Sequence, residues 1–267
     1  MELKATRFAV DDRVATVWLD RPHRANAWTG RMHSEYRWIM AELETRDDVR
    51  AVIVTGTGTR FCVGGDSDAL SAHADNGSYD RGVDDRVANP GGGDRIDADF
   101  AWQFGYRHPI IAAVNGACAG IGLALVLFCD LRFVRADAKL TTAAPKLGLP
   151  AEYGMSWTLP RLIGTTRAAD LLLSGRIFTG AETAEWGLWN GVDDDPLAAA
   201  TTWAHSLSTS TGPTAVATTK RQLAADLLRH DPAQSVNDSI SLMNTAMASD
   251  EYAEGVAAMV EKRPPNF

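Results

Sequence analysis

With 267 residues, 45 % of them hydrophobic and 22 % charged, the chain has an ordinary globular composition. It is long enough for one large core, or a core with a smaller appendage. A formal net charge of −8 argues against a nucleic-acid surface, which needs a clustered basic face, and obliges any anionic ligand to find local cations. No apolar run reaches the roughly 18–20 residues that span a bilayer.

The most apolar stretch, residues 110–131, is interrupted by Asn115, several glycines and Asp130. The start, MELKATRFAVDDR, lacks the basic-then-apolar order of a signal peptide. Cys62, Cys118 and Cys129 are odd in number, sit in apolar settings and show no metal-ligand or disulfide spacing. They read as reduced core thiols of a cytoplasmic, metal-free protein.

In chain order, residues 6–10 and 14–19 alternate around Asp11-Asp12-Arg13, which predicts a β-hairpin. Residues 28–44 carry Met32, Tyr36, Ile39, Met40 and Leu43 at helical spacing, with Thr29 as the cap. Short buried strands are expected at 51–55, 110–114 and 131–136, and an apolar helix after the second, through about Phe128. Residues 71–99 are rich in Asp, Gly and Asn and read as a long loop, either a lid or a solvated insertion. Helices are expected at 196–208, 213–229, 232–247 and 250–262, each begun or bounded by Pro, Gly or Asp. Strands alternating with helices and then an all-helical tail predict an α/β core over 1–195 and a helical segment over 196–267.

Two glycine turns carry the chemistry. FCVGGDS, residues 61–67, follows the strand AVIVTG, and IIAAVNGACAGIGLALVLFCD, residues 110–130, places Gly120 and Gly122 around Ile121 where a helix starts. Each turn sets a backbone N–H of an apolar residue, Val63 or Ile121, beside glycines that admit close approach. Two such donors converging on one point would make an oxyanion hole. Glycine after a strand is also ordinary turn chemistry, so neither turn is specific alone. The G-x-G at Gly56–Gly58 lacks the rest of a dinucleotide fingerprint.

Together, FCVGGD, IIAAVNGxxxGxG with FCDLRF after it, LDRPHRANAW, LLLSGRIFTGAETAEWGL and the ending VEKRPPNF resemble the crotonase superfamily, the enoyl-CoA hydratase/isomerase family, over nearly the whole chain. The resemblance implies a spiral of ββα units with a C-terminal helical trimerisation segment, assembled as a homotrimer or hexamer. It implies an acyl-CoA thioester substrate, whose coenzyme A is the only cofactor, and an enolate held by the Val63 and Ile121 N–H groups. It also implies coenzyme A contacts at His23, Arg24, Ala25, Val63, Asp66 and Gly120, with Lys262 reaching the coenzyme A of a neighbouring subunit. From the residues alone, His23, Arg24 and Lys262 read equally well as solvated surface charge, and Asp66 as the cap of the following helix.

The chain departs from the family at two places. A typical hydratase of this family uses two glutamates, and the matching positions here are Ala124 and Ala144. Alanine can neither activate water nor deliver a proton. Glu152, in LGLPAEYGMSW, falls where dienoyl-CoA isomerases and chlorobenzoyl-CoA dehalogenases, which this segment resembles, carry an aspartate. It is the expected catalytic acid–base; the alternative is that it caps a helix starting at Gly154 or faces solvent. Tyr153, His73 and His108 are further proton sources that the sequence gives no reason to promote. Three readings follow: a hydratase/isomerase-type enzyme using Glu152, a thioester hydrolase or dehalogenase-like enzyme, and a non-catalytic acyl-CoA binder.

Overall fold

In a computed structural model of the protein, the structure describes residues 1–76, 89–91 and 96–267. Strand β1 (Thr6–Asp11) pairs antiparallel with β2 (Val14–Leu19), closing at Asp11 opposite Val14. Asp12 and Arg13 both take positive φ, 41° and 65°, the primed turn whose twist matches the flanking strands. Helix α1 (Gly30–Glu44) begins two residues later than its apolar periodicity implies, because Thr29 is the cap: its hydroxyl accepts from the Met32 N–H at 3.2 Å.

A repeat follows. Strand β3 (Ala51–Gly56) leads to the short β4 (Arg60–Cys62) and helix α2 (Ser67–Asn76). Next, β5 (Ile110–Val114) leads to β6 (Ala117–Ala119) and α3 (Ile121–Leu127), and β7 (Leu131–Val134) leads to β8 (Lys139–Thr141). Helices α4 (Met155–Ile163) and α5 (Thr165–Ser174) and strands β9 (Phe178–Thr179) and β10 (Gly191–Val192) complete the core. The first strand of each unit joins a six-stranded sheet, β1-β2-β3-β5-β7-β10, and the second joins a four-stranded sheet, β4-β6-β8-β9. The result is an α/β spiral of ββα units.

β3 is buried on both faces, which is why AVIVTG is continuously apolar. Val52 and Val54 join the main core with α1 and α3, whereas Ala51 and Ile53 pack with Ala200 and Ala204 of α6 (Pro196–Ser210). Helices α7 (Pro213–Leu227), α8 (Pro232–Ala246) and α9 (Asp250–Glu261) form the tail. Buried Lys220 ties α7 to the core, donating to Asp130 Oδ2 at 2.6 Å and to the His108 carbonyl at 2.9 Å. By contrast, α8 has no buried residue. The expected loop over 71–99 lies mostly outside the described residues, although 71–76 continue α2. Among the described residues no helix is long and apolar enough to cross a membrane.

Candidate active site

β4 and β6 are adjacent parallel strands with Cys62 opposite Cys118. The chain leaves both in the same direction, β4 into Val63-Gly64-Gly65 and β6 into Gly120-Ile121. Parallel pairing therefore delivers the two turns to one place, outside the carboxyl ends of the strands, where α/β proteins bind ligands. Gly64 has φ 104° and Gly120 φ 49°, conformations that side-chain-bearing residues rarely adopt. Among the described residues, neither the Val63 nor the Ile121 backbone N–H has an acceptor. Ile121 is the first residue of α3, where an N–H has no partner within the helix.

The first turn is stitched to the segment before α1. The Trp28 N–H donates to the Gly64 carbonyl at 2.8 Å, and the Asp66 N–H to the Trp28 carbonyl at 2.9 Å. Asn26 holds that segment in turn. Fully buried, it donates through Nδ2 to the carbonyls of Thr57 and Arg60, at 2.9 and 2.7 Å, and accepts from the Arg21 N–H at 2.9 Å. Sequence reasoning did not single out Asn26, since an asparagine in a polar loop looks the same whether buried or solvated.

Asp66 is buried, and its carboxylate accepts from Arg24 and Arg21, each at 2.9 Å, and from the Asp68 N–H at 3.1 Å. The Arg24 bond first, then that of Arg21, overcomes the cost of burial and holds the carboxyl down at about 2. The carboxylate does satisfy a helix-start N–H, but its main partners are two guanidiniums. Arg24 also donates to Asp68 at 2.8 Å, so its charge is met by two acids. His23 is exposed on the same turn, and Ala25 has φ 53° at its end. Lys262 is exposed at the C-cap of α9 and is not among the residues lining the cleft.

One cleft is lined by Val63, Gly64, Gly65 and Asp66 from the first turn, Gly120 and Ile121 from the second, and Glu152 and Tyr153 from the loop before α4. A Cβ placed on Gly120 would stand 3.8 Å from Glu152 Oε2 and 3.9 Å from Gly64 Cα, so both turns and the carboxylate border one small space. Glu152 is half-buried, and among the described residues its carboxylate has no hydrogen-bond or ion-pair partner. Burial alone raises its pKa. It does not cap α4: the cap is Gly154, with no side-chain bond, and only the Glu152 carbonyl is used, accepting from the Met155 N–H at 3.0 Å.

Ala124 and Ala144 are both fully buried and outside the lining, which takes in Ala143 instead. His108 lies apart, in a crevice with Arg50 and Arg107, where burial pushes its imidazole down to about 4. The side chain of His73 falls outside the described residues. Cys62, Cys118 and Cys129 are buried free thiols, and burial raises the pKa of each. Among the described residues no cluster of His, Cys, Asp or Glu is arranged to hold a metal ion.

The fold agrees with the comparisons to known proteins. The family model described as enoyl-CoA hydratase/isomerase matches residues 10–267. The chain is 32 % identical over 265 residues to the 1,2-epoxyphenylacetyl-CoA isomerase of Escherichia coli (strain K12), covering 97 % of this chain and 96 % of that one. It is also 32 % identical over 271 residues to a probable enoyl-CoA hydratase of Rhodobacter capsulatus, covering 100 % and 99 %. The crystal structure of a probable enoyl-CoA hydratase/isomerase from Mycobacterium abscessus matches with a TM-score of 0.83 at 28 % identity, covering 100 % of this chain and 98 % of that one. The chain belongs to the enoyl-CoA hydratase/isomerase family, within the crotonase superfamily.

Proposed function

We propose that the protein moves a proton on an acyl-CoA thioester, using the Val63 and Ile121 N–H groups as an oxyanion hole and Glu152 as the acid–base. The observation carrying this reading is the partnerless, half-buried Glu152 carboxylate, 3.8 Å from where a Gly120 Cβ would stand. With the thioester oxygen on the two N–H groups, negative charge developing on that oxygen is met by fixed donors, an effect of about 3–4 kcal/mol per donor. Glu152 takes a proton from one carbon, leaving the enolate, and returns a proton at another after exchange of its carboxyl proton with solvent, so the acyl group neither gains nor loses atoms overall. One carboxyl suffices for that, whereas adding water asks for a second group, and alanines stand at both positions where the family's hydratases carry glutamate. Isomerisation is therefore favoured over hydration, in keeping with the name of the Escherichia coli relative.

In the same reading, His23, Arg24, Ala25 and Asp66 edge the coenzyme A path, and Lys262 reaches it from a neighbouring subunit of a trimer or hexamer. Buried free thiols suit a cytoplasmic setting. The test is a panel of acyl-CoA thioesters incubated in heavy water and read by mass spectrometry. Deuterium uptake with a shifted ultraviolet spectrum and no added water supports isomerisation. Gain of water, or release of free coenzyme A, overturns it in favour of hydration or hydrolysis. Binding without deuterium uptake leaves a non-catalytic binder.

A further inference from the structure

Glu152 enters the cleft from a strained turn. Its carbonyl accepts from the Met155 N–H at 3.0 Å, and the two residues between, Tyr153 and Gly154, have φ 45° and 71°. Positive φ at both central positions makes a primed turn, which glycine, asparagine and aspartate form readily. Gly154 fits for a second reason, since a Cβ there would stand 3.2 Å from Phe128 Cζ. Tyr153 does not fit. A bulky residue at positive φ is an outlier that persists only where its surroundings over-determine it, and such residues cluster at functional sites.

What holds Tyr153 is its ring. Half-buried, it packs on the main core and meets Phe100 edge-on at 5.7 Å. Phe100 is 1 % exposed and itself at φ 62°. It is fixed from behind by His33, stacked at 5.6 Å, and by Trp28, edge-on at 5.6 Å. Asparagine at 153 would make the same turn with less strain, so the ring serves something other than the turn. Tyr153 and Glu152 line the same cleft, where a ring next to a half-buried carboxylate takes the place of water.

We propose that Tyr153 is a positioning residue for Glu152: its ring, clamped on Phe100, holds the strained turn that sets the carboxylate at the gap beside Gly120 and keeps water from it. This rests on the proton-transfer reading above and adds what governs the strength of its base. Burial is what raises the Glu152 pKa. Gly120, Ile121, Ala143 and Leu147, which line the cleft from other elements, carry no charge. The remaining titratable side chains of the lining are Asp66, its charge met by Arg21 and Arg24, and Tyr153 itself.

Tyr153→Asn keeps the turn and removes the ring, so the protein is expected to hold its Tm. Two readouts follow the carboxylate. One is the Glu152 titration, seen by NMR in protein with isotope-labelled glutamate and assigned with Glu152→Gln. The other is deuterium exchange into phenylacetyl-CoA in heavy water, in which Glu152 removes a proton beside the thioester, exchanges with solvent and returns a deuteron to the same carbon. In the unaltered protein Glu152 should titrate above the ordinary glutamate value. In Tyr153→Asn the titration should fall back toward that value, and exchange should slow at least about tenfold. Tyr153→Phe restores the ring and should recover both. Titration and exchange unchanged in Tyr153→Asn overturn the positioning role and leave the proton-transfer reading intact. A lower Tm with an unmoved titration overturns it too, because the ring is then core packing alone. Equal losses in Tyr153→Phe and Tyr153→Asn assign the effect to the hydroxyl and remove the ring from the explanation. Absence of exchange in the unaltered protein, by contrast, overturns the proton-transfer reading itself.

Discussion

Gly120 and Glu152 border one space: a Cβ on the first would stand 3.8 Å from a carboxylate oxygen of the second. In the proposed complex that gap is where the reacting carbon sits. Gly120→Ala would intrude on it and would force φ 49°, ψ −121° on a residue with a side chain, at about 1–3 kcal/mol. The expected outcome is a lower Tm and deuterium exchange slowed by at least about tenfold. Full exchange in a folded variant would separate Gly120 from the chemistry.

Glu152 makes a pH prediction of definite sign. Burial raises its pKa in the folded state, and a base works only when deprotonated. Exchange should therefore climb with pH through an inflection above the ordinary glutamate value, and the inflection should vanish in Glu152→Gln with at least about a hundredfold loss of rate. Stability moves the other way. A group whose folded pKa is raised contributes stability below its unfolded pKa and loses it as pH rises through the folded one. Glu152→Gln should thus raise Tm at neutral pH and confer no advantage near pH 4. A variant with unchanged rate returns the search for the base to other groups.

How far the fold was legible depends on where each signal resides. The β1–β2 hairpin, the Thr29 cap and the proline-led starts of α6, α7 and α8 are local, so a few adjacent residues announce them. The four-stranded sheet is not local. Its strands are two or three residues long, too short for a period, and exist because β4 and β6 are laid side by side by the repeat. That same pairing brings Val63 and Ile121 together, so each turn was visible in sequence while their convergence came only through resemblance. The commitment of Arg24 to Asp66 and Asp68, and the bracing of Phe100 by His33, depend on contacts across some 40 to 70 residues and had no local signature.

Ile121 opens α3 with an N–H that has no acceptor among the described residues, so proline there removes a donor without breaking a hydrogen bond of the fold. Ile121→Pro should keep most of the Tm while losing about 3–4 kcal/mol of transition-state stabilisation, a rate loss of a hundredfold or more. Circular dichroism establishes folding and the exchange assay the loss. A folded variant with full exchange would exclude Ile121 as the donor.

Asp68 competes for Arg24. Its side chain is 83 % exposed, so Asp68→Asn disturbs little, yet it frees one side of a guanidinium that the coenzyme A reading requires. Acyl-CoA should bind about two- to fivefold tighter at low salt, with the gain disappearing as salt screens the exposed charges. Unchanged affinity at low salt would mean that Arg24 does not face the phosphates.

The tail argues for assembly. α8 buries nothing, and large apolar side chains remain exposed along all three helices: Leu223 and Leu227 on α7, Ile240 and Met243 on α8, and Met259 and Val260, both above 70 %, on α9. Exposed large apolar side chains on three successive helices are more than a terminal appendage usually leaves in water, and another copy of the chain is the cover proposed with the family reading. Light scattering of the full chain should give a trimer or hexamer, and a monomer at micromolar concentration would refute the proposal. Ile240→Lys with Met243→Glu should then shift the population toward monomer with little change in secondary structure, because neither side chain is buried in the single chain. If Lys262 reaches a neighbour's coenzyme A, that monomer should also bind acyl-CoA more weakly, and Lys262→Ala in the intact assembly should weaken binding more at low salt than at high salt. Should disassembly leave affinity and its salt dependence unchanged, each subunit holds its ligand alone, and the cations must come from His23 and Arg24.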